Sequence, residues 1–377
     1  EKELPDEERS YIQVESSLQA LKDLALLYRN NLDVKVVGIT GSVGKTSTKE
    51  TISSVLSEKY RVLKTLGNFN NEIGLPLTVF RLTEDDEVAV LEMGISDFGE
   101  MDRLSKIAQP DICVITNIGF CHLENLGTRD GILKAKTEIF NHMNPDGIVI
   151  VNGDDDKLST ISQVHGKRPL VFGISNKDGV YADNIKSLGL DGTSFTIHGI
   201  KTSDNYSTFD LTVPVPGHHM VYNAMAAALV GSVLGLSSIE IERGVKNLKT
   251  IAGRNNIIKE NGFTIIDDCY NANPVSMKAS LDVLDTAIGR KVAILGSMFE
   301  LGENEKQMHY DVGMYLGTKD IDVLITAGDL AAQIAAGTRA YIDTNYNAHG
   351  CEVHDFETRD DMLKCIGHIL KTGDNIL

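Results

Sequence analysis

A glycine-rich stretch, GITGSVGKTS at residues 38–47, contains the residue types from which proteins build phosphate-binding loops. Glycines allow backbone N–H groups to gather around phosphate oxygens, while Lys45 adds a positive charge and Thr46 a hydroxyl ligand for Mg²⁺. The stretch follows an apolar run at residues 34–37 and precedes a helix-like segment at residues 48–59. A strand, a loop and a helix in this order place a phosphate at a helix N-terminus. We therefore predict a site for ATP or GTP.

The spacing of this loop differs from that of the common NTPase motif. G-x-x-x-x-G-K-[ST] requires a glycine at position 39, where this chain has Ile39, so the motif is the shorter T-G-S-x-G-K-T. A glycine turn beside a surface lysine is the alternative interpretation. The apolar run before the loop and the helical pattern after it favour phosphate binding.

Further polar residues follow two later apolar runs. Glu92 comes after the run VAVL, and His122 comes soon after a predicted strand at residues 112–117. An acidic residue at the carboxyl end of a buried strand is well placed to hold Mg²⁺. The alternatives are a carboxylate that caps the next helix for Glu92 and an ordinary structural or solvated histidine for His122. Lys136 is interpreted from the residues alone as a surface lysine, because a protonated lysine cannot ligate a metal.

Two asparagine-rich segments, at residues 65–76 and 265–274, offer neutral donors and acceptors suited to amides and phosphates. The first contains Asn68, Asn70 and Asn71, and the second contains Asn271 and Asn273. For the first segment, a turn that uses asparagine for its backbone conformation is an equally good interpretation, and for the second, taken alone, a polar turn is the better one. Arg254 lies at a predicted domain junction, from which an arginine can reach phosphate across a cleft. Taken alone, it is better interpreted as a surface arginine.

Composition limits the class of protein. The chain has 377 residues, enough for two or three domains, with 42% hydrophobic and 24% charged residues. Its net charge of -17 argues against a non-specific nucleic-acid binder. Five scattered cysteines without a C-x-x-C pair indicate free thiols in a reducing cytosol. No apolar run approaches the ~20 residues of a membrane span. We expect no signal peptide, and the first residue, which is not Met, leads us to expect an incomplete chain.

These residues must be positioned by elements that alternate along the chain. We predict strands at residues 34–40, 88–93, 112–117, 147–152 and 170–173, and in a second series at 263–267, 291–295, 322–327 and 351–354. Helices are predicted at residues 16–28, 45–58, 98–108, 129–142, 221–234, 276–287, 305–316, 330–336 and 358–370. Apolar strands separated by helices indicate mainly parallel sheets covered on both faces.

The fold class predicted from this pattern is α/β with two sheet domains. A lead-in segment occupies residues 1–33 and contains an amphipathic helix. A central ATP-binding domain at residues 34–250 has a P-loop-type, mainly parallel sheet, and residues 177–216 alternate apolar with polar as antiparallel edge strands do. A Rossmann-like domain without its own phosphate loop occupies residues 251–377.

Together the motifs resemble the Mur ligase family, the ATP-dependent amide ligases of peptidoglycan synthesis. The matching segments run in order from about residue 14 to residue 301 and include TGSVGKT, EMG, GFCHLENLGT, KTEI, YNAMAAA, GR and DD. Within the family, GNFNNEIGLP and DDCYNANPVSM resemble the members that add D-alanyl-D-alanine to UDP-N-acetylmuramoyl-tripeptide. The resemblance implies that reaction, through an acyl phosphate, by a monomer in the bacterial cytoplasm.

The resemblance also implies a role for each site residue. The ATP phosphates would be bound by Gly41, Ser42, Val43, Gly44, Lys45, Thr46 and Ser47. One Mg²⁺ would be held by Thr46 and Glu92, and a second by Glu92, His122 and a carbamylated Lys136. Adenine, the terminal phosphates and the ribose would be approached by Asn223, Arg254 and Asp268. The muramoyl-tripeptide would lie near Asn68, Asn70 and Asn71, and the dipeptide near Asn271 and Asn273.

Three departures from the family pattern stand out. Met220 replaces an asparagine, and Ser297 replaces an aspartate. Because residues 14–28 resemble the segment that follows the family's N-terminal uridine-diphosphate-binding domain, we expect that domain to be missing from this sequence. The end at residues 375–377 is also expected to fall short of the family's last strand. The alternatives are a sibling Mur, folate or cyanophycin-type ligase with another amine substrate, or a non-catalytic ATP-binding module.

Overall fold

Two β-sheets organise the part of the chain that the structure, a computed structural model, describes: residues 12–346 and 348–377. The first sheet has nine strands in the order β2-β3-β1-β4-β5-β6-β7-β8-β9. Its strands are Lys35–Thr40 (β1), Val62–Lys64 (β2), Val88–Glu92 (β3), Ile112–Ile115 (β4), Ile148–Asn152 (β5), Leu170–Gly173 (β6), Val180–Ser187 (β7), Thr193–His198 (β8) and Thr208–Val213 (β9). Pairing is parallel from β2 to β7 and antiparallel from β7 to β9.

Helices cover both faces of the parallel part of this sheet. They are Ser17–Asn30 (α1), Lys45–Leu56 (α2), Gly74–Val79 (α3), Glu100–Ala108 (α4), Leu123–Leu126 (α5), Arg129–Thr137 (α6), His219–Val233 (α7) and Ser238–Lys246 (α8). Val37 of β1 packs in the core beneath α2 and α7, whereas its neighbour Val36 packs in the core beneath α1 and α4. Because successive strand side chains point to opposite faces, β1 must be apolar almost throughout.

The second sheet has six strands in the order β10-β11-β15-β12-β13-β14. Its strands are Asn256–Glu260 (β10), Phe263–Asp267 (β11), Lys291–Leu295 (β12), Val323–Ala327 (β13), Glu352–Phe356 (β14) and Asn375–Ile376 (β15). Its helices are Pro274–Asp285 (α9), Glu305–Leu316 (α10), Ala331–Thr344 (α11) and Arg359–Ile369 (α12). β10 and β11 form an antiparallel hairpin, and the remaining strands pair in parallel.

The structure confirms the predicted α/β class, with a mainly parallel sheet, an antiparallel edge and a second doubly wound sheet. Six short elements were not predicted: β2, α3, α5, α8, β10 and β15. Strands as short as β15 carry almost no periodicity of their own, and neighbours distant in sequence define them. The helix predicted at residues 129–142 ends as an α-helix at Thr137 and continues as a 3₁₀ turn, Glu138–Phe140.

The predicted lead-in segment is only partly described, since residues 1–11 lie outside the described residues. Its helix, α1, packs against α3 and α4, and Ala25 is fully buried in the core of the first sheet. The boundaries predicted at residues 33 and 250 stay predictions. No helix in residues 12–346 and 348–377 is long and apolar enough to cross a membrane.

Candidate nucleotide and metal site

The glycine-rich loop connects β1 to α2 in four residues. Gly44 has a φ of 82° and directly precedes the first turn of α2. Gly41 has a φ of 151°, and a Cβ atom there would stand 2.0 Å from Oγ1 of Thr116. Gly44 is therefore favoured by its left-handed backbone conformation, and Gly41 is required by the close approach of Thr116. The predicted strand–loop–helix context is confirmed.

The end of β4 holds this loop in place. The backbone N–H of Ser42 donates to the Asn117 carbonyl (3.0 Å), and that of Val43 donates to Asn117 Oδ1 (2.9 Å). Asn117 Nδ2 and Thr116 Oγ1 both donate to the Val43 carbonyl, at 2.8 and 2.7 Å. Sequence reasoning missed these two residues as part of the site. Their signal was available, because they are the first polar residues after the apolar strand β4.

Glu92 lies beside the loop because β3 pairs with β1, with Glu92 opposite Ile39. Its Oε1 accepts hydrogen bonds from Thr46 Oγ1 (3.2 Å) and from Asn70 Nδ2 (2.8 Å). Its Oε2 is buried and has no hydrogen-bond partner in the structure. A buried carboxylate oxygen without a donor is a good ligand for a cation, so this donor set fits a Mg²⁺ ion.

Three basic side chains, Lys45, His122 and Lys136, form a second cluster beside the loop. Lys136 is only 1% exposed, so its interpretation as a surface lysine is wrong. Burial, with Lys45 close by, lowers the pKa of Lys136 to about 7. Burial also lowers the pKa of His122, which has a φ of 56° and precedes α5. Lys45, His122 and Lys136 are thus close enough to influence one another's charge.

The structure does not join all the predicted metal ligands. Among the described residues, hydrogen bonds and ion pairs connect the Glu92 side chain with Thr46, Asn70 and Lys49 but not with His122 or Lys136. His122 Nδ1 instead lies 3.1 Å from Oε2 of Glu300, which follows β12 in the second sheet domain. No three His, Cys, Asp or Glu side chains in the described ranges converge on one point.

A cleft of about 340 Å³ separates the glycine-rich loop from the second sheet domain. Predicted residues that line it are Val43, Gly44, Ser47, Asn223, Arg254, Asp268 and Asn271. The loop and α7 form one wall, and α9 with the end of β11 forms the other. The carboxyl ends of parallel strands from both sheets meet there, where ligands bind in open α/β sheets.

Side chains on both walls are fixed by specific contacts. Asn223 Oδ1 accepts from Thr48 Oγ1 (3.0 Å), and Asn223 Nδ2 donates to Met220 Sδ (3.2 Å). Met220, which differs from the family pattern, therefore contacts the side chain predicted to approach adenine. The Arg254 guanidinium lies 4.2 Å from the ring centroid of Tyr270. That stacking holds the arginine at the cleft.

Asp268 lies partly buried in the opposite wall. Its Oδ1 accepts from the backbone N–H of Asn255 (3.0 Å), and its Oδ2 accepts from Ser280 Oγ. Burial raises the pKa of Asp268 above its ordinary value. The carboxylate is therefore held in one orientation at the edge of the cleft.

The asparagine-rich segments divide into different environments. Asn68 is exposed, Asn70 donates to Glu92, and Asn71 Oδ1 accepts from the backbone N–H of Gly74 (2.8 Å) at the start of α3. Asn273 caps α9 through hydrogen bonds from the Val275 and Ser276 backbones, both at 3.0 Å. Asn271 lines the cleft. The turn interpretation thus describes Asn71 and Asn273, and substrate binding by the five stays a prediction.

A phosphate loop that faces a second doubly wound sheet across a cleft defines a two-domain nucleotide-binding protein. Residues 39–231 match the model of the Mur ligase middle domain, and residues 253–377 match that of the Mur ligase, glutamate ligase domain. The chain belongs to the Mur ligase family.

Individual relatives agree with this assignment. The chain is 40% identical over 376 residues to UDP-N-acetylmuramoyl-tripeptide–D-alanyl-D-alanine ligase of Bacillus subtilis (strain 168), covering 99% of this chain and 79% of the relative. The structure of UDP-N-acetylmuramoylalanyl-D-glutamyl-2,6-diaminopimelate–D-alanyl-D-alanyl ligase from Acinetobacter baumannii matches with a TM-score of 0.84 and 33% identity, covering 97% of this chain and 76% of that one. The MurF ligase of Thermotoga maritima in complex with ADP matches with a TM-score of 0.82 and 30% identity, covering 98% and 83%.

Proposed function

We propose that this chain is the ATP-dependent ligase that adds D-alanyl-D-alanine to UDP-N-acetylmuramoyl-tripeptide in peptidoglycan precursor synthesis. The observation that carries the proposal is the phosphate loop on one wall of a cleft whose other wall presents Arg254 and Asp268. Similarity over nearly the whole chain to D-alanyl-D-alanine ligases supports the choice of substrates. We place the reaction in the bacterial cytoplasm and assign it to a monomer.

The chemistry requires activation of a poor electrophile. The terminal carboxylate of the tripeptide attacks the γ-phosphorus of ATP, and ADP leaves, which gives an acyl phosphate. The free amine of the dipeptide then attacks the acyl carbon, an amide bond forms, a proton is lost and phosphate leaves. Positioning and neutralisation of negative charge dominate such phosphoryl transfers. Lys45 and the N–H groups of residues 44–47 at the start of α2 would bind the phosphates, because the N–H groups of Ser42 and Val43 donate to Asn117. Closure of the cleft would exclude water from the acyl phosphate.

The predicted nucleotide contacts follow from the two walls of the cleft. Asn223 would approach adenine, Arg254 the terminal phosphates and Asp268 the ribose. All three line the same cleft as Gly44 and Ser47 of the loop. The tripeptide would lie near Asn68, Asn70 and Asn71, and the dipeptide near Asn271 and Asn273.

The proposal includes two Mg²⁺ ions. Thr46 and Glu92 would hold the first, and Glu92, His122 and carbamylated Lys136 would hold the second. The unpartnered Oε2 of Glu92 supports the first assignment. A lysine with a pKa of about 7 is largely neutral at pH 8, and only the neutral amine adds CO₂ to form an anionic carbamate. Mg²⁺ supplies charge neutralisation for the phosphates and the carboxylate.

The direct test is ADP release by the purified chain with UDP-N-acetylmuramoyl-tripeptide and D-alanyl-D-alanine, with the amide product identified by mass spectrometry. Product formation that requires all three substrates is expected. Amide formation with an unrelated amino acid but not with the dipeptide would point to a sibling ligase. Nucleotide binding without any ligation, by a protein that contains the full length of its relatives, would point to a non-catalytic module.

Carbamylation of Lys136 has its own test. Lys136→Ala should lower ligation about a hundredfold or more, because a metal ligand is lost. Lys134→Ala is the matched control, since Lys134 lies on the same helix with an exposed amine that reaches the Phe98 ring. Mass spectrometry in bicarbonate should detect the carbamate on Lys136. Full activity of Lys136→Ala would refute its role as a metal ligand.

A further inference from the structure

Lys49 is a fully buried lysine that the proposed reaction does not use. It lies on α2, one turn after Lys45, and its exposed fraction is 0%. Its Nζ lies 3.1 Å from Oε1 of Glu50 and 3.8 Å from Oε2 of Glu92. In the structure this Nζ has no hydrogen-bond partner of good geometry. Lys49 is therefore a buried ammonium group held between two carboxylates by charge.

Burial of an ammonium group is costly unless an opposite charge stands beside it. Glu92 Oε2 is the buried oxygen without a hydrogen-bond donor that was identified above as a fit for a cation. The positive charge closest to this oxygen in the described contacts is Lys49. Glu92 thus has a counter-ion of its own, supplied by the same helix that begins at the phosphate loop.

The charges around Lys49 alternate in sign towards the surface. Lys64 pairs with Oε2 of Glu50, while Oε1 of Glu50 faces Lys49. Lys64 is 38% exposed, Glu50 is 11% exposed, and Lys49 and Glu92 are almost completely buried. These four side chains form a row of alternating charges in the order Glu92, Lys49, Glu50 and Lys64. A divalent cation bound by Glu92 would lie beside the Lys49 ammonium at the buried end of this row. Two cations that share one carboxylate repel each other strongly in a site with little water.

We propose that Lys49 is a positioning residue that acts as the internal counter-ion of Glu92 and opposes divalent-cation binding there until nucleotide phosphates bring further negative charge. Metal capture at Glu92 is then coupled to nucleotide binding. The inference rests on the proposed function, because it takes Glu92 as a metal ligand. Its consequence is specific: removal of the Lys49 charge strengthens nucleotide-free metal binding.

The test measures Mn²⁺ binding to the nucleotide-free chain by electron paramagnetic resonance of the free ion. Lys49→Met and Lys49→Gln should each tighten Mn²⁺ binding at least about tenfold, because a unit charge about 4 Å from the ligand is removed. Lys64→Met is the matched control. It removes one positive charge from the same row without contact to Glu92, and its effect should stay below about twofold. The double variant Lys49→Met/Glu92→Gln should lose the added affinity.

The outcomes separate this inference from the proposed function. Unchanged or weaker Mn²⁺ binding in both neutral variants overturns the inference, while the wild type with ADP still reports whether the site binds metal at all. Absence of Mn²⁺ binding in the wild type with ADP would count against the proposed metal site itself and overturn the inference with it. If neither neutral variant folds, recovery of folding in the double variant supports the Lys49–Glu92 pair. Continued misfolding overturns it.

Discussion

Two connections occupy equivalent places in the two sheets, yet they act differently. After β1, residues 41–44 turn directly into α2, whose first-turn backbone N–H groups point towards the loop. After β12, residues 296–304 form a longer connection before α10. This second connection is held by His309, whose Nε2 accepts from the Met298 backbone (2.8 Å) and whose Nδ1 faces the Glu305 carbonyl (2.7 Å).

The difference shows that the two doubly wound sheets contribute different kinds of group to the cleft between them. The first connection is short and glycine-rich, so its backbone binds the ligand in our proposal. The second is longer, so it can send a side chain across to the first domain, and Glu300 reaches His122. In our proposal, the first sheet therefore contributes backbone groups that bind phosphate, and the second contributes side chains. Four substitutions test what each sheet domain contributes, and they follow in order of decreasing expected effect.

Lys45→Ala removes the charge of the first connection and should have the largest effect. The rate of ligation should fall about a thousandfold, because the negative charge that develops on the phosphates in the transition state is no longer stabilised by the Lys45 ammonium group. Folding should be unchanged, because the half-buried Lys45 amine bonds within the described structure only to the Gly41 and Ser42 carbonyls. ADP release and thermal melting measure the two effects.

Lys35→Ala is the control for Lys45→Ala. Lys35 lies at the opposite end of β1, where it pairs with Asp111 at 3.2 Å. Its activity should stay within about twofold of the wild type, because exposed ion pairs contribute little. If Lys45→Ala kept more than about a tenth of the activity, the phosphate-binding role of the first connection would have to be abandoned.

Arg254→Ala tests whether the second domain contributes side chains to the nucleotide. The KM for ATP should rise about 10- to 100-fold, because a charge-assisted contact and the stacking on Tyr270 are both lost. Initial rates over a range of ATP concentrations measure it. Arg339→Ala is the control, since Arg339 bonds to the Val353 carbonyl away from the cleft. An unchanged KM for ATP would limit the nucleotide site to the first domain.

Asn273→Ala separates a helix cap from a substrate contact. Loss of the cap on α9 should lower the free energy of unfolding by about 1 kcal/mol. Thr358→Ala removes the corresponding cap of α12, in which Thr358 Oγ1 accepts from the Asp361 backbone N–H at 3.2 Å. This substitution should lower the free energy of unfolding by a similar amount. Only Asn273→Ala should also raise the KM for the dipeptide. Equal loss of stability with unchanged KM in both variants would leave Asn273 a structural cap.

The smallest expected effect concerns His219, which lies where the two sheet domains meet. Burial lowers its pKa from 6.5 to about 4. Between these values the unfolded chain binds a proton that the folded chain does not, so stability should fall as the pH is lowered from about 6.5 to about 4. His219→Gln should reduce this dependence, whereas His218→Gln, at the exposed neighbour, should retain it. Denaturant unfolding at pH 4.5 and 7 measures the difference.

Prediction from the sequence worked best where a local pattern was sufficient. The loop at Gly41–Gly44 and the acidic end of β3 at Glu92 were both recognised, and the structure places them beside each other. The alternative that Lys136 lies on the surface was wrong, because burial depends on the fold around a side chain. Met220 was noted only as a departure from the family, and the structure shows its contact with Asn223.

The sequence alone was sufficient to predict the glycine-rich loop, the alternation of strands and helices, and an acidic residue at the end of β3. These features arise from residues close together in the chain and from the rule that parallel strands end at one edge. The tertiary structure alone decided that Lys49 faces Glu92, that Glu300 reaches His122 and that Asp268 faces the loop across a cleft. Such contacts join residues from distant segments, and their charges interact strongly only where folding has removed water.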